Sequence, residues 1–174
     1  MMIELRMTNG SIASLGYLGG YEAGRDRAGL RAADDQGTVR KLSEYLASGP
    51  VVLFFYPIAS SPGCTAQACH FRDLGAEFGA VGAQRLGISP DSVAKQQQFS
   101  ASHSFDYPLL ADEGGTVAEQ FGVKRGKLIG KLAPVKRATF VIGPDRTVLA
   151  VINSETKMNS HADRALEVLK AQVA

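Results

Sequence analysis

Apolar residues along this chain follow two rhythms. Val51-Val52-Leu53-Phe54-Phe55-Tyr56 is an unbroken apolar run, β-branched and aromatic, that Pro57 stops. Such a run predicts a strand buried on both faces, as in a parallel sheet. Ala68, Phe71, Leu74 and Phe78 then recur at spacings of three and four, which predicts a helix from about Cys64 to Phe78. Arg85 to Ser89 reads as a second strand, and Ser89-Pro90-Asp91 opens a helix running to about Ser102. A short strand over Tyr107 to Ala111 and a short helix over Thr116 to Phe121 follow. Ala138 to Ile142 and Thr147 to Ile152 flank a Pro144-Asp145 turn and predict a hairpin. His161 to Val173 closes the chain as a helix with Leu166, Val168 and Leu169 inside. Upstream, Asp34-Asp35-Gln36-Gly37 is a turn signal, and Ser43 is placed to cap a short helix that ends at Gly49-Pro50.

Strands alternating with helices, then a hairpin, imply an α/β fold: a central mixed sheet with helices on both faces. Residues 1–28 stand apart. Six glycines fall between Gly10 and Gly29 with no sustained apolar period, so this stretch reads as a glycine-punctuated hairpin or a loosely held extension ahead of a domain over 29–174. At 174 residues the chain is long enough for a core without disulfide or metal staples. Hydrophobic residues at 45% and charged residues at 21% exclude disorder throughout. A net charge of +2 does not by itself point to nucleic acid, and no apolar run approaches the ~18 residues of a membrane span. Glu4, Arg6 and Asn9 interrupt any signal-peptide core, so the expected address is the cytoplasm. In that reducing setting, two cysteines close in sequence point to catalysis or metal binding more than to a static bridge.

In an α/β sheet, sites collect beyond the carboxyl ends of strands, where helices begin. Cys64 sits there, just past the first buried strand. A nucleophilic sulfur must be a thiolate. A free cysteine titrates near ~8.5, and a helix N-terminus with cationic help brings it to roughly 3.5–7.5. The unpaired N–H groups of a first helical turn favour negative charge, and Gly63 leaves the backbone open to the sulfur. Ser61 supplies a hydroxyl that could donate to the thiolate or to a bound oxygen. Cys69 is five residues further on; in an intact helix its Cα would lie ~8–9 Å from that of Cys64. A disulfide needs roughly 4.4–6.8 Å, so the two sulfurs join only if the first turns unwind. Spacing alone leaves two other readings open: a pair of small buried hydrophobes, or a metal site using Cys64, Cys69 and His70.

The stretch Phe55-Tyr56-Pro57-Ile58-Ala59-Ser60-Ser61-Pro62-Gly63-Cys64-Thr65, with Cys69 and Phe71-Arg72-Asp73 behind it, resembles the active-site segment of the peroxiredoxins. It is most similar to the bacterioferritin-comigratory or Q type, and the similarity runs from about Leu30 to the end. The resemblance implies a thioredoxin-like fold and a thiol peroxidase that needs no cofactor and no metal. Its substrates would be hydrogen peroxide or organic hydroperoxides, and its reductant a thioredoxin-like dithiol protein. Cys64 matches the peroxidatic cysteine, Cys69 the resolving one, Ser61 the hydroxyl position and Pro57 the proline that shields the pocket. Arg137, directly before Ala138, matches the arginine that holds the thiolate and polarises the peroxide. The resemblance also implies a monomer rather than an obligate oligomer.

Three departures stand out: serine for the usual threonine at Ser61, Gln67 where a glutamate is common, and no Ala-Pro-Asp-Phe opening near residue 29. Gln67 removes a charge that would help order the pocket. Two other function classes remain. One is a thioredoxin-like copper-binding protein using Cys64, Cys69 and His161, although such proteins usually space the cysteines by three residues and carry a membrane anchor. The other is a general disulfide oxidoreductase, which wants Cys-x-x-Cys at the helix start. Lys124 to Arg137 holds six basic residues and no acid. It reads as a solvated loop or an electropositive rim, and lacks the interleaved aromatics of a nucleic-acid surface. His70, His103 and His161 read as helix-surface or core residues.

Overall fold

β5 (Val51–Phe55) is the strand around which the fold is built, and every residue in it is buried. Successive side chains of a strand point to opposite faces. Val51, Leu53 and Phe55 therefore enter one apolar core, while Val52 and Phe54, with Tyr56 beyond the strand, enter another. The computed structural model describes residues 5–8, 11–14, 29–126, 128, 130, 131 and 133–174. β5 pairs in parallel with β6 (Gln84–Ser89), and β6 in parallel with β7 (Leu109–Ala111). On its other side β5 runs antiparallel to β8 (Ala138–Ile142), which pairs with β9 (Val148–Asn153). Antiparallel β3 (Arg31–Asp34) and β4 (Val39–Lys41) complete a seven-stranded mixed sheet in the order β4-β3-β7-β6-β5-β8-β9.

Helices cover both faces, as the alternation implies. α1 (Leu42–Leu46) and α5 (Thr116–Gln120) pack with Leu53, Phe55 and Phe140 on one side. α2 (Pro62–Asp73), α3 (Gly75–Ala80), α4 (Val93–His103) and α6 (Ser160–Val173) pack with Val52, Phe54 and Tyr56 on the other. Phe54 stacks on Phe71 with ring centroids 4.2 Å apart. That stack needs a glycine beneath it: a Cβ on Gly87 would stand 2.9 Å from Phe54 and 2.7 Å from Leu109.

Several boundaries differ from the sequence expectation. Ser43 does not cap α1. The helix begins at Leu42, with Lys41 at the cap and the Glu44 carboxylate accepting from the Lys41 N–H. The single helix expected over Cys64 to Phe78 starts two residues earlier and breaks at Leu74 into α2 and α3. Arg85 causes the break. Its guanidinium donates to the Phe71 carbonyl at 2.6 Å and is gripped by Asp106 at 3.0 and 2.7 Å. A Cβ on Gly75 would stand 3.0–3.2 Å from those same side chains. The Asp34–Gly37 turn does more than expected, since it joins β3 to β4, and the buried Asp34 carboxylate accepts from the Gln36 and Thr38 N–H groups and from Arg40. Within residues 1–28, β1 (Leu5–Thr8) and β2 (Ser11–Ser14) form an antiparallel ladder, the hairpin alternative, and the rest of that stretch lies outside the described residues. Among the described residues, no helix is long and apolar enough to cross a membrane.

Candidate active site

The chain leaves β5 at Phe55, turns through Tyr56 to Ser61 and enters α2 at Pro62. Proline suits a first helical position, because its missing N–H would have no helical partner there. Pro57 is half-buried at the strand exit. Ser60 takes a left-handed φ of 66°, and the Ala59 N–H donates to Asp91 at 2.7 Å, so the loop is tied to the start of α4. Tyr56 is fully buried under the loop and its hydroxyl donates to Gln96 at 2.5 Å. Burial holds its phenol well above the usual tyrosine range, so Tyr56 is a neutral donor.

Cys64 is the third residue of α2 and is fully buried. Arg137, at the entry to β8 and only 5% exposed, points Nη2 at the Cys64 sulfur from 3.4 Å. The β5–β8 register makes this meeting possible: Phe55 pairs with Ala138, so the residue before β8 lies beside the strand exit that leads to α2. Arg137 Nη1 donates to the Gln67 side-chain oxygen at 2.5 Å, and the Arg137 backbone N–H donates to Glu155 at 3.3 Å. The Gln67 departure thus reads differently in three dimensions. A neutral amide orders the guanidinium by accepting a hydrogen bond, leaving the cation's charge uncompensated at that atom. Arg137 Nε and Gln67 Nε2 are buried with no partner among the described residues.

The structure brings Cys64 and Arg137 together but holds Ser61 differently from one sequence reading. The Ser61 hydroxyl donates to the Ile58 carbonyl at 3.0 Å rather than to the sulfur, and the Ser61 carbonyl accepts the Thr65 N–H at 2.8 Å. Cys69 is half-buried one helical turn and more from Cys64; both cysteines are free thiols. Met158 roofs the site: its Cε would be 2.8 Å from a Cβ on Gly63, and Arg137 Nη2 3.3 Å.

Of the basic segment, Lys124 bridges to Val135 as a short ladder, and the Arg125 N–H donates to the Pro134 carbonyl. Arg125 and the Arg137 backbone share one Glu155 oxygen. The sequence does not mark Gln67, Glu155 and Met158 as partners of Arg137 and its site, since these contacts join α2 and the segment after β9 to the entry of β8. His161, near the start of α6, is buried against β8. Its Nε2 faces the Ser154 carbonyl at 2.9 Å and its Nδ1 the Thr139 hydroxyl at 2.8 Å. A carbonyl only accepts, so Nε2 carries the hydrogen and Thr139 donates to Nδ1. Both nitrogens are occupied, which makes His161 a tie between elements. His70 pairs with Asp163 at 2.7 Å and also ties α2 to α6.

Comparison with known proteins places this geometry. The AhpC/TSA family model matches residues 24–151. A putative peroxiredoxin of Mycobacterium tuberculosis is 61% identical over 144 residues, 83% of this chain and 93% of that protein. The crystal structure of peroxidoxin BcpB from Mycobacterium tuberculosis, also 61% identical, covers 82% of this chain and 92% of its own at a TM-score of 0.78. A structure of the Xanthomonas campestris bacterioferritin comigratory protein, described for its alkyl peroxide reduction activity, is 32% identical and covers 89% and 99% at a TM-score of 0.78. With its thioredoxin-like sheet, its buried cysteine at a helix start and these relatives, the chain belongs to the AhpC/TSA family, among the thiol peroxidases of the bacterioferritin-comigratory or Q type of peroxiredoxin.

Proposed function

We propose that this enzyme reduces hydrogen peroxide and organic hydroperoxides with Cys64 as the attacking sulfur, Cys69 as the resolving one, and a thioredoxin-like dithiol protein as the reductant. The observation that carries the reading is the buried contact of Arg137 with the Cys64 sulfur at the first turn of α2. A guanidinium at 3.4 Å, together with unpaired N–H groups of a helix start, stabilises negative charge on that sulfur.

The Cys64 thiolate attacks the terminal oxygen of the peroxide. An S–O bond forms, the O–O bond breaks, and the alkoxide or hydroxide leaves and takes up a proton as alcohol or water. Charge moves from sulfur to the departing oxygen, so a donor that serves both lowers the barrier most. Arg137 Nη2 already faces the sulfur, and the unpartnered hydrogens on Arg137 Nε and Gln67 Nε2 are the donors left for oxygen. Met158 covers the site beside Gly63, and Ser61 holds the loop by its bond to Ile58; the resemblance gives Pro57 the shielding role. The product is a sulfenic acid. The first turns of α2 then unwind, and the Cys69 thiolate attacks the Cys64 sulfur. The S–S bond forms as the S–O bond breaks, and hydroxide leaves as water. Two exchange steps with a dithiol protein restore both thiols. The working unit in this reading is residues 29–174, acting as a cytoplasmic monomer where dithiol reductants are kept reduced.

Stopped-flow peroxide consumption tests this. Cys64→Ser abolishes turnover; retention of most of the activity removes Cys64 from the role. Cys69→Ser reacts once, stalls at sulfenic acid and over-oxidises, unless an added thiol rescues it.

A further inference from the structure

The resolving step makes a demand that the first step does not. Cys69 attacks as a thiolate, yet it lies half-buried on the middle of α2, away from the helix start that serves Cys64. A slow resolving step leaves the sulfenic acid open to a second peroxide and irreversible oxidation. A proton acceptor beside Cys69 would answer that demand, and the structure holds one. His103 Nδ1 lies 3.9 Å from the Cys69 sulfur, a sulfur hydrogen-bond distance. The two residues are thirty-four apart in sequence and meet across the α2–α4 contact.

The imidazole is held in place. Phe99 meets it edge-on at 5.4 Å, and Phe105 stacks on it at 5.5 Å with the planes 22° apart. It is the last residue of α4, where the unpaired carbonyls of a helix end favour positive charge. The titratable and charged groups around it are few. From α2 come Cys69 itself and Arg72, whose Nη1 donates to the His103 carbonyl at 2.6 Å and which also pairs with Asp73. From the segment before β7, Tyr107 stacks on Phe105, its hydroxyl donating to the Ala68 carbonyl at 2.7 Å. No carboxylate contacts the ring among the described residues.

We propose that His103 is the general base of the resolving step, taking the Cys69 proton while α2 is still folded. Resting on the peroxidase reading above, the step balances as follows. The Cys69 S–H proton moves to His103 Nδ1. α2 then unwinds at its start and carries the Cys69 thiolate away, while α4 keeps the imidazolium. The thiolate attacks the Cys64 sulfenic sulfur, the S–S bond forms, the S–O bond breaks, and the leaving hydroxide ends as water with the proton that His103 returns to solvent. His103 touches a reacting atom and so is a catalytic residue of this step.

Single-turnover quench-flow on the full chain separates the two steps. The protein is mixed with one equivalent of hydrogen peroxide, quenched with dimedone in acid at intervals, and the Cys64 adduct and the disulfide are counted by mass. His103→Phe keeps the ring packing and removes both nitrogens; His103→Ala opens a space for free imidazole. In both variants the rate of disulfide formation, relative to sulfenic acid formation, falls at least about 10-fold at neutral pH. The deficit shrinks as pH rises and hydroxide takes over, and free imidazole restores His103→Ala. An unchanged ratio in His103→Phe overturns the proposal. So does a deficit that is the same at every pH and deaf to imidazole, which is the mark of a packing role. If the unsubstituted protein yields neither Cys64 adduct nor disulfide, the peroxidase reading fails first and takes this one with it.

Discussion

At the residue scale the site turns on one guanidinium with two tasks. Arg137 faces the Cys64 sulfur with Nη2 and the Gln67 oxygen with Nη1. A planar fork does both at once with its donors fixed in direction; an ammonium carries the charge without that fork. Arg137→Lys is therefore expected to slow the reaction of Cys64 with peroxide by roughly 10²–10³-fold, the usual cost of losing one aimed donor, while the fold persists. Stopped-flow rate constants beside a urea unfolding curve check this, and a rate within about threefold of the unsubstituted enzyme, below that range, would rule out the two-task account. Cys64 is marked in the sequence by its place after a proline-stopped strand, and Arg137 by the resemblance, which puts an arginine before a late strand. Gln67 and His103 were not legible. Gln67 read as a missing charge, although the pocket needed an acceptor. His103 read as a helix-surface or core residue, because its contact with Cys69 reaches across to another helix.

At the element scale α2 is held unequally at its two ends. Its start rests on Pro62 and the Ser61 carbonyl, with no side-chain cap. Its end is clamped: Arg85 binds the Phe71 carbonyl and, in fork geometry, Asp106. Fraying is thus directed to the end that carries Cys64, which is the end that the proposed disulfide would require to move. The clamp also splits the long helix that apolar spacing alone extended to Phe78, since periodicity reports a buried face and not a side chain arriving from a neighbouring strand. Asp106→Ala leaves the buried Arg85 cation without its counterion. Because Asp106 is 55% exposed, water replaces part of the loss, and the expected cost is about 1–2 kcal/mol rather than the 3–5 of a fully buried pair. Urea midpoints measure it. Native-state hydrogen exchange should show the loss at the end of α2; protection unchanged there would detach the clamp from that helix.

Across the whole molecule, the two cores share β5, and buried titratable groups set how their stability depends on pH. The strands of the sheet were readable from their runs, whereas β3 and β4 escaped because two short, polar, half-exposed segments have no apolar signature. The same contrast of burial and polarity governs acid stability. Burial lowers the His161 pKa below its ordinary value, against the raising effect of its Ser154 bond. The unfolded chain therefore binds a proton there more readily than the folded one. His161 costs nothing above the unfolded value near ~6.5, and stability falls as pH drops below it and toward the lowered folded value, by at most ~1.4 kcal/mol per pH unit. Asp34 acts lower on the scale. Burial raises its pKa, but the Arg40, Thr38 and Gln36 hydrogen bonds outweigh that and bring it below 3.8, so its contribution is lost only as pH falls through that range. The two windows are separable. His161→Gln can still donate to Ser154 and accept from Thr139 but takes up no proton. In urea titrations at a series of pH values it is expected to flatten the loss below pH ~6.5 and leave the steeper loss near pH ~4 and below in place. A variant curve parallel to the unsubstituted one through the upper window would mean that His161 is not the group whose burial the whole fold protects.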